Sequence, residues 1–309
     1  MPPSKIAQTV GCSVATVYIA ARRTGVLTAQ RAKSHRWTSE EDEALRRRFP
    51  NARSGELEAQ FGLSFEQIRS RAKRLDIPSR QALALAGVQH DFFARGTPDA
   101  AYFAGLLAAD GWITTRRPEV GLALKESDRE MVDMFAAFVG ASRKVRVYAG
   151  QARAAVCSTQ LAADLHDRWG VRPRKTYDLR PPTVDDPQLR IAYAAGHLDG
   201  DGFISGRSRP YDGAVIRCGA IGTEAVIRWI ADTLDAVLAT AGRRPVRVRR
   251  VGIEKYSIPM FEWRTSDHNA VVVLDAMRAA IGDLGISRKW AALDTFRTAF
   301  ATRQTKGAA

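Results

Sequence analysis

From residue 97 onward, the apolar positions switch repeatedly between helical and strand spacing. Met131, Met134, Phe135 and Phe138 recur every three or four residues and predict a helix opened by the capping box Ser127-Asp-Arg-Glu130. Lys144-Val-Arg-Val-Tyr148 alternates polar and apolar, turns at Gly150 and returns through Arg153 to Cys157, which predicts a hairpin. Strands are expected near 112–117 and 119–125, and a helix from Gln160 to Trp169. The pattern then repeats. Strands fall near 203–207 and 214–222, and a helix from Thr223 carries Ile227, Ile230, Leu234, Val237 and Leu238. Val246-Arg-Val-Arg-Arg-Val251 alternates again, answered by Met260-Phe-Glu-Trp-Arg264, with helices near 268–282 and 287–301. The predicted fold class is α+β: two pseudo-symmetric αββαββα units, residues 97–182 and 183–309.

Each unit opens on a related helix. Tyr102-Phe-Ala-Gly-Leu-Leu-Ala-Ala-Asp-Gly111 is followed by Trp112 and Ile113; Tyr193-Ala-Ala-Gly-His-Leu-Asp-Gly-Asp-Gly202 is followed by Phe203 and Ile204. Thr97-Pro98-Asp99 and Asp186-Pro187 read as their starts. The terminal Gly111 and Gly202 suit a left-handed cap position. Gly105 and Gly196 sit mid-helix, where glycine costs about 1 kcal/mol relative to alanine. Close approach of two backbones compensates for that cost, so the two helices are expected to pack on each other at a pseudo-twofold axis.

Residues 1–96 are patterned as smaller helical modules. In residues 1–30, Ile6, Ala7 and Val10 face one side of a first helix, Gly11 turns, Ser13 caps a second, and Val14, Val17 and Ala21 face inward. This resembles a helix-turn-helix, although helix pairs joined at a glycine also occur in proteins that never meet DNA. Residues 36–78 begin Arg36-Trp37-Thr38-Ser39-Glu40-Glu41-Asp42 and continue with Leu45 and Phe49; a second helix spans 54–61, and the capping box Ser64-Phe-Glu-Gln67 opens a third, with Ile68 and Leu75 inward. Arg69, Arg71, Lys73 and Arg74 surround that third helix. The Trp-Thr-x-Glu-Glu-Asp opening resembles a Myb/SANT-type DNA-binding module; the alternative is a small packing bundle. Residues 79–96 read as a linker with a helical stretch near 80–87.

Charge sharpens this picture. The 309 residues carry 47 Lys+Arg against 33 Asp+Glu, a net +14, and the pI is near 10.2. Such a surface favours a polyanion, nucleic acid first. The expected strands place Arg116, Arg117, Lys125, Arg146, Arg153, Arg207, Arg217, Arg247, Arg249 and Arg264 on two sheets, where alternation prevents all of them from sharing a face. Such strands can read a DNA groove, or simply form a solvated face. Cys12, Cys157 and Cys218 form no Cys-x-x-Cys pair, so neither a disulfide framework nor a zinc site is indicated. No apolar run reaches membrane-span length, and the first residues lack a signal core, which together suit a cytoplasmic, nucleoid-associated protein of bacterial or phage origin.

The chemistry concentrates in Asp110 and Asp201. Two carboxylates at two negative helix ends repel each other, and a divalent cation resolves the conflict. Mg²⁺ suits such an oxygen site, which points to phosphodiester hydrolysis. The twin segments resemble the LAGLIDADG homing endonuclease family in its single-chain, two-motif form, over residues 97–301. The resemblance implies a monomer with an internal pseudo-dimer. It further implies double-strand cleavage of a long DNA target with Mg²⁺, for which Mn²⁺ substitutes. One metal-binding Asp, with its neighbouring Gly111 or Gly202, would come from each motif. It also places Lys175 and Lys289 where basic active-site residues stand; the alternative is that they are helix-start or backbone-phosphate lysines. Two positions depart from the motif: Ala108 stands against Asp199, and Leu106 against His197. Asp199 is expected on the helix flank with a structural role, and His197 either as a polar contact at the helix pair or as a partly buried packing residue. A non-catalytic DNA-binding regulator and an intron RNA maturase are the competing readings.

Overall fold

A computed structural model describes residues 3–24, 35–116, 118–141, 145–175, 179–209, 213–252 and 259–307. The chain divides into two compact units, Met1–Arg80 and Gln81–Ala309.

In the first unit, α1 (Pro3–Val10) and α2 (Val14–Arg23) pack as a pair, with Ser13 accepting a hydrogen bond from the Thr16 amide. Ala7 is buried between them, but Val10 and Val14, expected inside, are 68% and 43% exposed. α3 (Ser39–Arg48), α4 (Ser54–Phe61) and α5 (Phe65–Arg74) enclose Leu45, Phe49, Leu57, Ile68 and Ala72, and Leu75 packs against that core. The capping box expected at Ser64 forms, and a second one forms at Thr38. Thr38 and Glu41 exchange bonds at 3.2 and 2.9 Å, and Ser64 and Gln67 at 3.4 and 3.1 Å.

In the second unit, α6 (Arg80–Ala86) leads into a segment that departs from its reading as a linker. Val88, Phe92 and Phe93 are buried, and the Trp169 indole donates to the Phe93 carbonyl at 2.9 Å. Three large apolar residues in six positions are too costly to leave in water, so this stretch joins the core instead of bridging domains.

α7 (Pro98–Asp110) runs into β1 (Gly111–Ile113) and β2 (Glu119–Lys125); α8 (Arg129–Phe138), β3 (Arg146–Tyr148), β4 (Gln151–Cys157) and α9 (Thr159–Asp167) complete the first αββαββα unit. α10 (Pro187–Asp201), β5 (Gly202–Arg209), β6 (Gly213–Gly222), α11 (Glu224–Thr240), β7 (Arg249–Val251), β8 (Met260–Ser266), α12 (Asp267–Ile281) and α13 (Ser287–Gly307) form the second. The two sheets are antiparallel with matching orders, β1-β2-β4-β3 and β5-β6-β8-β7. This is the α+β repeat that the periodicity predicts. Two strands are shorter than expected: β1 stops at Ile113 and β7 starts only at Arg249. The Ser127–Glu130 capping box does not form. A single 3-10 turn, Glu126–Asp128, precedes α8, and Asp128 instead accepts Nε and Nη2 of Arg288, each at 2.8 Å. Among the described residues, no helix is long and apolar enough to cross a membrane.

Candidate cleavage centre

α7 and α10 begin as their sequences dictate. Thr97 accepts from the Ala100 amide at 3.3 Å ahead of Pro98, and Asp186 accepts from the Gln188 and Leu189 amides ahead of Pro187. The helices then meet along their glycines. A Cβ on Gly105 would lie 2.1 Å from the Tyr193 carbonyl oxygen, and one on Gly196 would lie 1.9 Å from that of Tyr102. Further on, a Cβ on Gly200 would meet the Ala109 methyl at 2.2 Å. The contacts advance in the same direction along both helices, so the pair is parallel and both C-termini reach the same end.

The glycines after the acids serve a different purpose from the one expected. Gly111 (φ −86°) and Gly202 (φ −128°) are extended, not left-handed. Each helix passes straight into a strand. A Cβ on Gly111 would fall 2.4 Å from a Leu107 methyl, and one on Gly202 2.5 Å from the Gly219 and Leu198 oxygens. Glycine is required there by crowding.

Asp110 and Asp201 are both exposed at this shared end. Partial desolvation, and then the Asp201 charge, hold the Asp110 carboxyl above the usual carboxylate range; Lys175 and Lys289 pull it back. Lys175 donates from Nζ to the carbonyls of Ala108 (2.6 Å) and Ala109. Lys289 is buried and donates to the carbonyls of Leu198 (3.1 Å), Asp199, Gly200 (3.3 Å) and Gly202 (2.7 Å). The two lysines therefore cap the last turns of α7 and α10 in matching fashion, satisfying orphan carbonyls and offsetting the negative helix ends. Burial lowers both ammonium groups, and the acids beside them oppose that shift. Lys289 spreads its three N–H bonds over four acceptors, and Gly202 lends its carbonyl to this lysine. Among the described residues, no comparable contact is seen for Gly111.

Asp199 lies deeper than a helix flank: it is 1% exposed. It accepts from the Tyr102 hydroxyl (2.7 Å), the Trp290 indole (3.1 Å) and the Ile286 amide (3.1 Å). Burial raises its carboxyl, against those donors and Lys289. Burial and then the Asp199 charge keep Tyr102 protonated. His197 is fully buried rather than partly so, stacked 6.5 Å from Tyr193 and bonded through Nε2 to the Ile221 carbonyl at 3.2 Å. Burial lowers its imidazole, which leaves it neutral. The sequence flagged both residues as departures but did not pair Asp199 with Tyr102 and Trp290, nor Arg288 with Asp128. Their only trace was the Arg-Lys-Trp run at 288–290.

The sheets sort the basic residues. Register places Lys125, Arg146 and Arg153 on the face of the first sheet opposite Leu122, Ala154 and Val156. Arg217, Arg249 and Arg264 share the corresponding face of the second, with Arg207 at a matching register position. Arg264 faces Glu262 at 3.6 Å. Arg116 is exposed just past β1, Arg247 lies outside β7, and Arg117 falls outside the described residues. In the first unit Arg69 and Lys73 are exposed on α5, but Arg71 is not available to a partner. It clamps Asp42 through Nε (2.8 Å) and Nη2 and lies 6.0 Å over the Trp37 ring. An acid opposite it in α3 turns this arginine into a staple of the bundle.

No family model and no curated protein matches the sequence. Among solved structures, the chain is similar to the LAGLIDADG homing endonuclease I-GzeII in complex with a DNA target, at 9% identity and a TM-score of 0.46, covering 68% of this chain and 92% of that one. It is similar to the LAGLIDADG meganuclease I-AabMI bound to uncleaved DNA at 10% identity and 0.45, with the same coverage. I-CpaMI bound to uncleaved DNA gives 9%, 0.45 and the same coverage. At these levels the functional reading rests on the chain's own residues.

Proposed function

We propose that this protein is a Mg²⁺-dependent, site-specific DNA endonuclease that cuts both strands of a long duplex target. The observation that supports it is the meeting of Asp110 and Asp201 at one end of a glycine-packed parallel helix pair. A protein that only binds DNA has no use for two carboxylates facing phosphates.

The residues fit a hard divalent cation. Asp110 is held above its ordinary range partly by Asp201, a conflict that a cation relieves. Among the described residues no group of three or more His, Cys, Asp or Glu is placed to hold a metal. Asp110 and Asp201 would hold the ion, with main-chain, water and phosphate oxygens completing its shell, a set typical of Mg²⁺. When bound, the ion supplies an activated water and charge stabilisation at phosphorus. Lys175 and Lys289 hold the helix ends that aim the two acids and keep positive charge beneath them. Water adds across one P–O ester bond of each strand, leaving a phosphomonoester and a hydroxyl, with the proton released to solvent.

Arg153, Arg217, Arg264 and their neighbours would track the flanking duplex, and Arg69 and Lys73 of the first unit would add contacts outside the cleavage centre. The test is a plasmid carrying the DNA that flanks the gene, joined across it. The protein with Mg²⁺ linearises this plasmid and EDTA prevents it. Tight binding without cutting in Mg²⁺ or Mn²⁺ would instead establish a DNA-binding regulator.

A further inference from the structure

The two halves of the cleavage centre are matched at the acids and lysines but not behind them. In the second half, Asp199 ties three groups from two elements to α10: Tyr102 of α7, Ile286 at the entry to α13, and Trp290 in the first turn of α13. Lys289 lies between the last two. Trp290 is itself braced by Arg278, 4.2 Å over its ring. Arg288, on the other side of Lys289, is bidentate to Asp128, whose side chain is 4% exposed.

Among the described residues, the first half shows no such network. Ala108 stands where Asp199 stands and offers no side-chain acceptor. Lys175 sits in irregular chain, part-buried, on two carbonyls. Arg174, at the place of Arg288, is exposed in a left-handed conformation (φ 59°) and has no partner among the described residues.

We infer that Asp199 is a positioning residue for Lys289, and that the buried Asp199–Tyr102–Trp290 network preorganises one half of the cleavage centre over the other, so that the two DNA strands are cut in sequence. The second part rests on the endonuclease reading; the first does not. A carboxylate that locks the start of α13 fixes the lysine one residue before Trp290, and with it the end of the helix that carries Asp201. Among the described residues, no buried carboxylate ties the chain around Lys175 in the same way. Partners behind a reactive group typically change its performance by tenfold or more.

Two measurements separate these claims. The first uses the full chain without DNA: acylation of Lys175 and Lys289 by a small activated ester, followed by mass spectrometry, with amide exchange over 286–290. Lys289 reacts more slowly than Lys175 in the unaltered protein. In Asp199→Ala, and in the gentler Tyr102→Phe and Trp290→Phe, Lys289 acylation and Ile286 exchange quicken on the order of tenfold, while Lys175 is unmoved. Equal change at both lysines, or none at Lys289, overturns the positioning role, and the two gentler variants decide if Asp199→Ala fails to fold. The second uses the joined-flank plasmid with each strand end-labelled. Nicked circles precede linear product, and the variants slow the faster strand on the order of tenfold at saturating enzyme while DNA affinity holds within about twofold. Simultaneous cutting, or equal slowing of both strands, overturns the sequential claim. If no strand is cut, the endonuclease reading falls and the acylation result still decides the role of Asp199.

Discussion

Asp110 ends a helix beside a second carboxylate, and its ionisation links the proposed chemistry to folding stability. Its carboxyl is raised by partial desolvation and by Asp201. A carboxyl raised in the folded state contributes stability below its unfolded pKa and loses that contribution as pH rises through the folded one. The metal-free protein is therefore expected to lose stability between the ordinary carboxylate range and neutrality. Asp110→Asn removes the charge and should melt at a higher temperature than the parent at neutral pH in EDTA, with the gap closing in acid. A gap that widens in acid would contradict this. Cleavage carries the opposite sign, because the ionised form is needed to hold a cation, so activity falls as pH drops through the raised value.

The acids were legible in the sequence because a repeated Asp-Gly at two matched helix ends has few other uses. Their supports were not. Asp199 looked like a flank residue, because its burial depends on α13 folding over it more than eighty residues later. Arg71 looked like a DNA contact, because Asp42 reaches it only when α3 and α5 pack. The glycines after the acids read as left-handed caps, yet the chain leaves each helix extended, in too little space for a Cβ.

At the scale of elements, the α7–α10 pair depends on two missing side chains. A methyl on Gly105 or Gly196 would penetrate a main-chain carbonyl of the partner helix, which cannot move aside as a flexible side chain can. Gly105→Ala and Gly196→Ala should each destabilise the second unit by about 1–3 kcal/mol, the usual cost of overpacking, despite the better helix propensity of alanine. Chemical denaturation measures this; unchanged or increased stability would mean the helices stand further apart. Element type and order could be read from periodicity, since each helix and strand buries one face locally. Strand ends could not: β1 stops one residue short of the position facing Glu119, where β2 begins, whereas β7 starts only at Arg249 although its neighbour β8 runs on to Ser266. The reading of a linker failed too. Its apolar residues Val88, Phe92 and Phe93 find partners only in the folded unit.

At the scale of the molecule, some of the basic residues behind the net charge of +14 lie on outer sheet faces and on α5. Arg153 and Arg217 occupy sheet faces turned away from the core, and Arg69 and Lys73 lie exposed on α5. In the full chain, each phosphate contact removed should lower the salt slope of DNA binding by about 0.9. Arg153→Ala with Arg217→Ala, and separately Arg69→Ala with Lys73→Ala, should each reduce the slope of log affinity against log salt by nearly two such steps. A slope unchanged by the second pair would remove the first unit from the DNA interface. One unchanged by the first pair would move the duplex off the sheets.

The central claim is that one cleavage centre needs both acids. The direct measurement is double-strand cutting of the joined flanking DNA by the parent, Asp110→Asn and Asp201→Asn in Mg²⁺, with DNA affinity measured in Ca²⁺ alongside. The proposal predicts that each variant keeps the parent's affinity within about threefold, while double-strand cutting falls by at least a thousandfold, roughly the 4 kcal/mol that charge stabilisation of a transition state supplies. Cutting that survives either substitution at near-parent rates would contradict it.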